Sequence, residues 1–194
     1  MRRVPAPGPR VIRSTAGALA ALALLCLCFA PARAADDRVW FSGAAGSGEG
    51  VAALRVGGVW QPGCTCEPLA RIGAVPLVQA HVEYLNSRGT QSVNDVVWDA
   101  GALASLRWPL AAESRWQPFV EFGVGAALFS HVRIGDRNLA SALLFDERLA
   151  AGIALDPAGR HQLAAYVEHR SNAGLKEPNQ GLTTYGLELR VGLK

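Results

Sequence analysis

Two residues near the C-terminal end, His169 and Ser171, have the types and spacing of a general base and a nucleophile. On an extended strand, side chains at positions i and i+2 project from the same face, about 6.8 Å apart, so an imidazole can bend toward a hydroxyl. A neutral serine is a weak nucleophile until a neighbouring base takes its proton. The pair therefore predicts ester hydrolysis, provided that the surrounding chain forms a strand and presents this face to a substrate.

A serine hydrolase also needs hydrogen-bond donors for the charge that develops on the carbonyl oxygen. The sequence directly after Ser171 offers Asn172 together with the backbone amides near Ala173 and Gly174. Glycine allows a backbone to approach a ligand closely. We therefore expect Asn172 and Gly174 to form the oxyanion site.

The N-terminal segment has the pattern of an export signal. Four arginines precede an apolar stretch at 16–30, which is followed directly by Ala32-Arg33-Ala34. This arrangement predicts a signal peptide over 1–34 and one mature domain over 35–194. An uncleaved anchor is the alternative, but the apolar stretch is shorter than the about 20 residues of a membrane-spanning helix.

Charge and cysteine content restrict the partners of the mature domain. The net charge of +3 for the whole sequence includes five arginines of the predicted signal, which contains no acidic residue. The mature domain is therefore slightly acidic, and we do not expect it to bind nucleic acid. Cys64 and Cys66 lie beside glycine and proline without a second ligand cluster, which favours a local disulfide or two thiols over a metal site.

The mature sequence alternates between apolar and polar residues, as strands with two different faces do. Clusters of glycine, proline, asparagine and aspartate separate eight such segments. They cover residues 37–43, 50–60, 75–85, 95–108, 118–129, 142–155, 161–171 and 182–193. Several approach the about 10 residues of a tilted membrane strand. The pattern predicts an all-β protein, an eight-stranded antiparallel barrel.

The two faces favour a transmembrane barrel. Trp98 and Trp108 share the apolar face of the fourth segment, and a ten-residue separation at a tilt of about 40° spans about 26 Å, which matches the two aromatic girdles of a membrane barrel. The opposite faces supply an ionic interior: Gln79, Glu83, Asp99, Arg107, Glu121, Asp146, Arg148, Glu168, Glu188 and Arg190. A soluble periplasmic barrel that binds small ligands is the alternative.

The parity of the seventh segment places the reactive pair toward lipid. Leu163, Ala165 and Val167 define the outward face, and His169 and Ser171 continue the same period. His169 follows the turn at 156–160 by eight residues, which corresponds to a depth of about 21 Å after tilt. A strand that simply leaves the bilayer there is the plain explanation of two polar residues. If the pair is reactive, its substrate is a lipid ester that arrives from the outer leaflet.

Glu147 is a candidate for the acid that orients the histidine. It shares the outward face of the sixth segment with Phe145 and Leu149, and a charge that faces lipid requires a reason. If the sixth and seventh segments pair symmetrically about their short turn, Glu147 lies directly opposite His169. The alternative is that Glu147 only anchors the barrel among the lipid headgroups.

At these residues the sequence resembles the outer-membrane lipid A 3-O-deacylases, bacterial enzymes that remove the 3-hydroxyacyl chain at position 3 of lipid A. Residues 169–179 follow the family's H-x-S-N-A-G-x-K-x-P-N stretch, and residues 129–145 form a second similar block. The resemblance implies an eight-stranded barrel and a serine mechanism with His169 as base and Ser171 as nucleophile. It implies no metal and no cofactor, lipopolysaccharide as substrate, and the outer membrane as location, and it leaves a homodimer open.

The sequence departs from this family at the position of the triad acid. The family's triad contains a glutamate, and in the best register Thr183 takes its place here. Thr183 can accept a hydrogen bond from His169, but it stabilises an imidazolium less than a carboxylate does. The alternative function is therefore a catalytically impaired barrel that binds lipopolysaccharide without hydrolysing it.

Overall fold

The structure is a computed structural model that describes residues 37–63, 67–88, 93–111 and 113–193. The predicted signal peptide and the Cys64–Cys66 pair lie outside these residues. Within the described ranges, we find no helix with the length and apolar character needed to cross a membrane.

Ten strands and one short helix make up the regular structure of the described residues. The strands are β1 Arg38–Gly48, β2 Val51–Gln61, β3 Val75–Ser87, β4 Val96–Pro109, β5 Phe119–Phe129, β6 Arg133–Ile134, β7 Arg137–Asn138, β8 Leu143–Ala154, β9 His161–Ser171 and β10 Leu182–Gly192, and the helix is α1 Glu67–Arg71. All eight predicted segments form strands. The two-residue strands β6 and β7 form a hairpin in the loop between β5 and β8.

The eight long strands close into an antiparallel barrel in the order β1, β10, β9, β8, β5, β4, β3, β2. Each long strand pairs with the next long strand along the chain, so β5 pairs with β8, and β1 pairs with β10 to close the barrel. Closure removes the unpaired edges that a lipid environment does not tolerate. The predicted fold class is confirmed.

The first strand is longer than the sequence pattern indicates. It continues to Gly48 and connects to β2 through the two-residue turn Glu49-Gly50. The last residues of this strand are small and show no alternation of apolar and polar side chains. The barrel requires a glycine at position 48, because a Cβ there would lie 2.1 Å from the carbonyl oxygen of Thr183. The close approach of β1 to β10 therefore explains why this part of the strand escapes detection in the sequence.

The barrel interior is filled with ion pairs. Among the described residues, six buried carboxylates face five buried guanidiniums, all at most 7% exposed: Glu83, Asp99, Glu121, Asp146, Glu168, Glu188, Arg55, Arg107, Arg148, Arg170 and Arg190. Glu168 accepts from Arg55 at 2.7 Å, from Arg148 at 3.0 Å and from Arg170. Arg190 binds both oxygens of Glu121 at 2.7 and 2.8 Å. These paired charges connect seven of the eight long strands from within, and β1 contributes none of them.

A hydrophobic layer covers the ionic interior at one end of the barrel. We call this end the upper rim; its described parts are the turn 49–50, residues 88 and 93–95, and the loops 130–142 and 172–181. The opposite end, which includes the turn 155–160, is the lower rim. Ile134 and Leu139, from the loop that contains the β6–β7 hairpin, are fully buried against apolar side chains from the upper ends of the long strands. Gly135 also exchanges backbone hydrogen bonds with Val93 and Asn94 of the neighbouring loop. The hairpin therefore closes the upper end of the barrel.

The outer wall is apolar, as a membrane barrel requires. Trp98 and Trp108 both lie on the outward face of β4. Trp98 is largely exposed, whereas Trp108 is partly covered by Leu69 of α1, which packs against the outside of the wall at the lower rim. The predicted sharing of one face by these two tryptophans is confirmed.

Candidate active site

His169 and Ser171 lie at the upper end of β9, on its outward face. Along this strand Glu168 and Arg170 are buried in the interior, whereas His169 is exposed and Ser171 is half-buried. The alternation follows from the two-residue period of a strand. Both His169 and Ser171 therefore face the side of the wall from which a lipid would approach.

Both neighbouring strands place a polar residue directly beside His169. Glu147 on β8 and Thr183 on β10 are its partners in register. Nδ1 of His169 lies 2.9 Å from Oγ1 of Thr183. If Nδ1 carries the proton and donates it to Thr183, Nε2 has the lone pair that a general base needs.

The predicted register of Glu147 opposite His169 is confirmed. The hydrogen bond to the His169 ring, however, comes from Thr183 on the opposite neighbouring strand, β10. Glu147 is exposed on the outward face of β8. Among the described residues, its carboxylate has no hydrogen-bond or ion-pair partner. Glu147 therefore faces His169 only in register, whereas Thr183 contacts the ring.

The loop after Ser171 is organised differently from the expected oxyanion site. The Asn172 side chain is buried, and its amide donates to the carbonyls of Leu139 at 2.8 Å and Lys176 at 2.9 Å. The Gly174 N–H donates to Oδ1 of Asn172 at 3.0 Å. In this conformation the expected donors, Asn172 and Gly174, are therefore engaged within the loop.

The donor beside the hydroxyl is the backbone amide of Ala173. Its nitrogen lies 3.4 Å from Oγ of Ser171. Ala173 and Gly174 have positive φ values of 53° and 76°, which turn the chain sharply at this point. The turn that Asn172 holds therefore directs the Ala173 N–H toward Ser171.

A second set of residues, absent from the sequence predictions, holds the histidine side of the site. Glu49 accepts from the Thr183 N–H at 2.6 Å and forms an ion pair with Arg137 at 3.0 Å. Arg137 also donates to the carbonyl of Gly181, and the His169 ring packs against Gly181, where a Cβ would lie 3.0 Å from Cε1. Glu49 and Arg137 therefore connect the turn after β1 and the β6–β7 hairpin to the environment of His169.

One group of side chains inside the barrel has the composition of a metal site. Within the part of the chain that the structure describes, ligand atoms of His81, Asp146 and Glu168 lie within 4.8 Å of one another. The oxygens of Glu168 already accept from three arginines. The group therefore belongs to the ionic interior and carries no metal proposal.

The fold and the outward polar site define a class: an eight-stranded membrane barrel with a histidine and a serine on its outward face. The family described as lipid A 3-O-deacylase (PagL) matches residues 60–192. The chain therefore belongs to this family. The match includes His169, Ser171 and all strands from β3 to β10.

Individual relatives agree with this assignment. The chain is 43% identical over 75 residues to the lipid A deacylase PagL of Pseudomonas aeruginosa, a match that covers 39% of this chain and 42% of that protein. It is 36% identical over 86 residues to the lipid A deacylase PagL of Bordetella bronchiseptica, which covers 44% and 45%. The chain thus spans less than half the length of these two relatives.

A solved structure matches a larger part of the chain. The crystal structure of the outer membrane enzyme PagL superimposes with a TM-score of 0.63 at 26% identity. The match covers 80% of this chain and 99% of that structure. The barrel described above is accordingly an outer-membrane protein.

Proposed function

We propose that this chain is a lipid A 3-O-deacylase, a serine-type esterase that hydrolyses the 3-O-linked 3-hydroxyacyl chain of lipid A in the outer leaflet. The observation that carries the proposal is the parity of β9, which puts His169 and Ser171 together on the lipid-facing wall. Membership of the deacylase family supports the reaction class.

In the proposed first step, Nε2 of His169 takes the proton of Ser171 while Oγ attacks the carbonyl carbon of the ester. The tetrahedral intermediate expels the sugar oxygen, which receives the proton from the imidazolium. Water then attacks the acyl-serine by the same route and releases a 3-hydroxy fatty acid. These reaction steps use only the chain's own residues, the substrate and water.

Thr183 and Glu147 divide the role of the missing triad acid in this proposal. Thr183 holds the ring through its hydrogen bond with Nδ1, and it accepts that bond when Nδ1 carries the hydrogen. Glu147 lies opposite His169 in register and stabilises the imidazolium by its charge. The charge acts at a partly aqueous interface and is therefore screened, so the arrangement is weaker than a directly bonded carboxylate.

The oxyanion is stabilised by the backbone at Ala173 in our proposal. Its N–H already points at Oγ of Ser171, and the negative oxygen forms on the carbon that bonds to this Oγ. Asn172 contributes by holding the turn, and it contributes a donor only if the loop opens. Gly174 supplies the left-handed conformation that follows.

A Ser171→Ala barrel tests the proposal. We expect it to fold and to release at least about 10³-fold less 3-hydroxy fatty acid from lipid A than the native chain, because the nucleophile is gone. The measurement is mass spectrometry of released fatty acid from lipid A in mixed micelles. Undiminished release by this variant would exclude the serine mechanism.

A second candidate function rests on Thr183, which stands where the family has a glutamate. It is a barrel that binds lipopolysaccharide without cutting it. This candidate expects no fatty acid from the native chain at any pH or detergent composition, together with retained lipid A binding. The same assay therefore separates the two functions.

A further inference from the structure

A groove lies in the outer wall on β3, β4 and β5, close to the upper rim. Its cavity volume is about 260 Å³, and its outward lining side chains are Val82, Trp98, Ala100, Leu128 and Ser130. Val82, Ala100 and Leu128 are directly opposite one another in register. Ala100 therefore forms the floor of the groove between two larger apolar side chains.

The upper end of this groove is polar. Oγ of Ser130 lies 3.0 Å from Nδ1 of His131 and accepts from the backbone N–H of Trp98 at 3.0 Å. While it accepts from the Trp98 amide, the Ser130 hydroxyl can either donate to Nδ1 of His131 or accept from it. In the arrangement in which Ser130 donates, Nε2 of His131 carries a hydrogen that it can donate to an oxygen of a ligand.

The wall of the groove is held in place before any ligand binds. The Trp98 ring packs edge-on against Tyr84, with centroids 5.0 Å apart and planes at 67°. The Tyr84 hydroxyl in turn accepts from Asn86 at 3.3 Å. A preformed apolar groove with a polar end suits one acyl chain whose ester or hydroxyl oxygen stays at the membrane interface.

The groove and Ser171 are neighbours on the barrel surface. Ser171 is opposite Phe145, Phe145 is opposite Ala126, and Ala126 is opposite Ala102. The next outward position on β4 after Ala102 toward the upper rim is Ala100. Three strand spacings therefore separate the groove from Ser171, about 14 Å around the wall.

We infer that this groove binds a second acyl chain of the same lipid A molecule whose 3-O-linked chain is at Ser171, with His131 donating to an oxygen of that second chain. The inference rests on the proposed function. Lipid A carries several acyl chains on one headgroup, and an enzyme that cuts one of them gains affinity by holding another. Ser130 and His131 act here as a binding pair, and Ser171 remains the nucleophile.

The test fills the groove. In Ala100→Leu a larger side chain occupies the floor, and the barrel folds because position 100 faces outward. We expect about a tenfold rise in KM for lipid A with kcat unchanged, since only binding is lost. In a Ser171→Ala background, the Kd for lipid A in mixed micelles should rise by the same factor. Ser130→Ala should raise the Kd about threefold.

Ala45→Leu is the matched control, because Ala45 also faces outward, on β1 away from the groove. It should leave KM and Kd at the native values. The inference is overturned if Ala100→Leu behaves like Ala45→Leu, or if it lowers kcat alone. Failure of the native chain to release fatty acid would contradict the proposed function, whereas the Kd comparison would still test the groove.

Discussion

The two faces of β9 use polar residues in opposite ways. Inside the barrel, Glu168 and Arg170 are almost completely buried and each contacts several opposite charges. On the outside, His169 lies between Glu147 and Thr183 on the neighbouring strands, and among the described residues it has one hydrogen-bond contact, with Thr183. Four consecutive residues of one strand thus alternate between a network that stabilises the barrel and a pair positioned for chemistry.

In this barrel, the number of hydrogen-bond and ion-pair partners therefore distinguishes structural polar residues from those positioned for chemistry. A buried charge requires several partners, since desolvation costs more than one contact returns. A general base and a nucleophile require few partners, because their lone pairs must remain available. The two sets can be distinguished by their environments although they are adjacent in sequence.

The largest expected effects come from the same substitution made on the two faces. Arg170→Met removes one cationic partner from both Glu83 and Glu168 in the interior, so their negative charges are only partly compensated, and we expect a loss of about 3–5 kcal/mol in unfolding free energy. His169→Met should leave the unfolding free energy within about 0.5 kcal/mol of native, because the position is exposed. Denaturant unfolding in detergent measures both. Equal destabilisation by the two changes would contradict the proposed difference between the inner and outer faces of β9.

A smaller effect is expected when the triad acid is restored. In Thr183→Glu a carboxylate replaces the hydroxyl beside Nδ1 of His169, and we expect kcat for lipid A to rise about tenfold because the imidazolium is better stabilised. Thr183→Gln is the isosteric control without charge and should give no rise. If Glu and Gln act alike at this position, charge beside the ring does not limit the rate.

The other flank of His169 should respond more weakly. Glu147→Gln removes the charge opposite the ring but keeps the side-chain shape, and we expect kcat to fall only about threefold, since the carboxylate is exposed and screened. The same change in the Thr183→Glu background should have no effect on kcat. A fall beyond about a hundredfold would instead make Glu147 the dominant acid.

The smallest expected effect is on stability, and it comes from Asp156 at the lower rim, away from His169 and Ser171. The His161 N–H, with the amides of Arg160 and Ala158, lowers the pKa of Asp156 to about 2 from its ordinary 3.8. Because the folded pKa is the lower one, this carboxylate stabilises the barrel above about pH 4 and loses that contribution as pH falls toward 2. Asp156→Asn should therefore lower the Tm much more at pH 7 than at pH 2. Equal shifts at both pH values would exclude this ionisation.

Alternation made the barrel and the outward parity of His169 and Ser171 predictable, because each strand contrasts large apolar with polar side chains. The end of β1 was missed, since small residues there carry no contrast. Glu49 was missed for a different reason: it meets Thr183 only when β1 closes on β10, across 134 positions in sequence. The inward turn of Asn172 was also beyond prediction, because strand parity ends at Ser171.

The most direct measurement of the central claim is labelling of the purified barrel with a long-chain alkyl fluorophosphonate, which bonds an activated serine oxygen to phosphorus and releases fluoride. Peptide mass spectrometry locates the adduct. We predict modification of Ser171 in the native chain and at least about 10³-fold slower labelling of Ser171 in His169→Ala. An adduct on Ser130 instead, or labelling of Ser171 that does not depend on His169, would contradict the assignment of β9 as the catalytic strand.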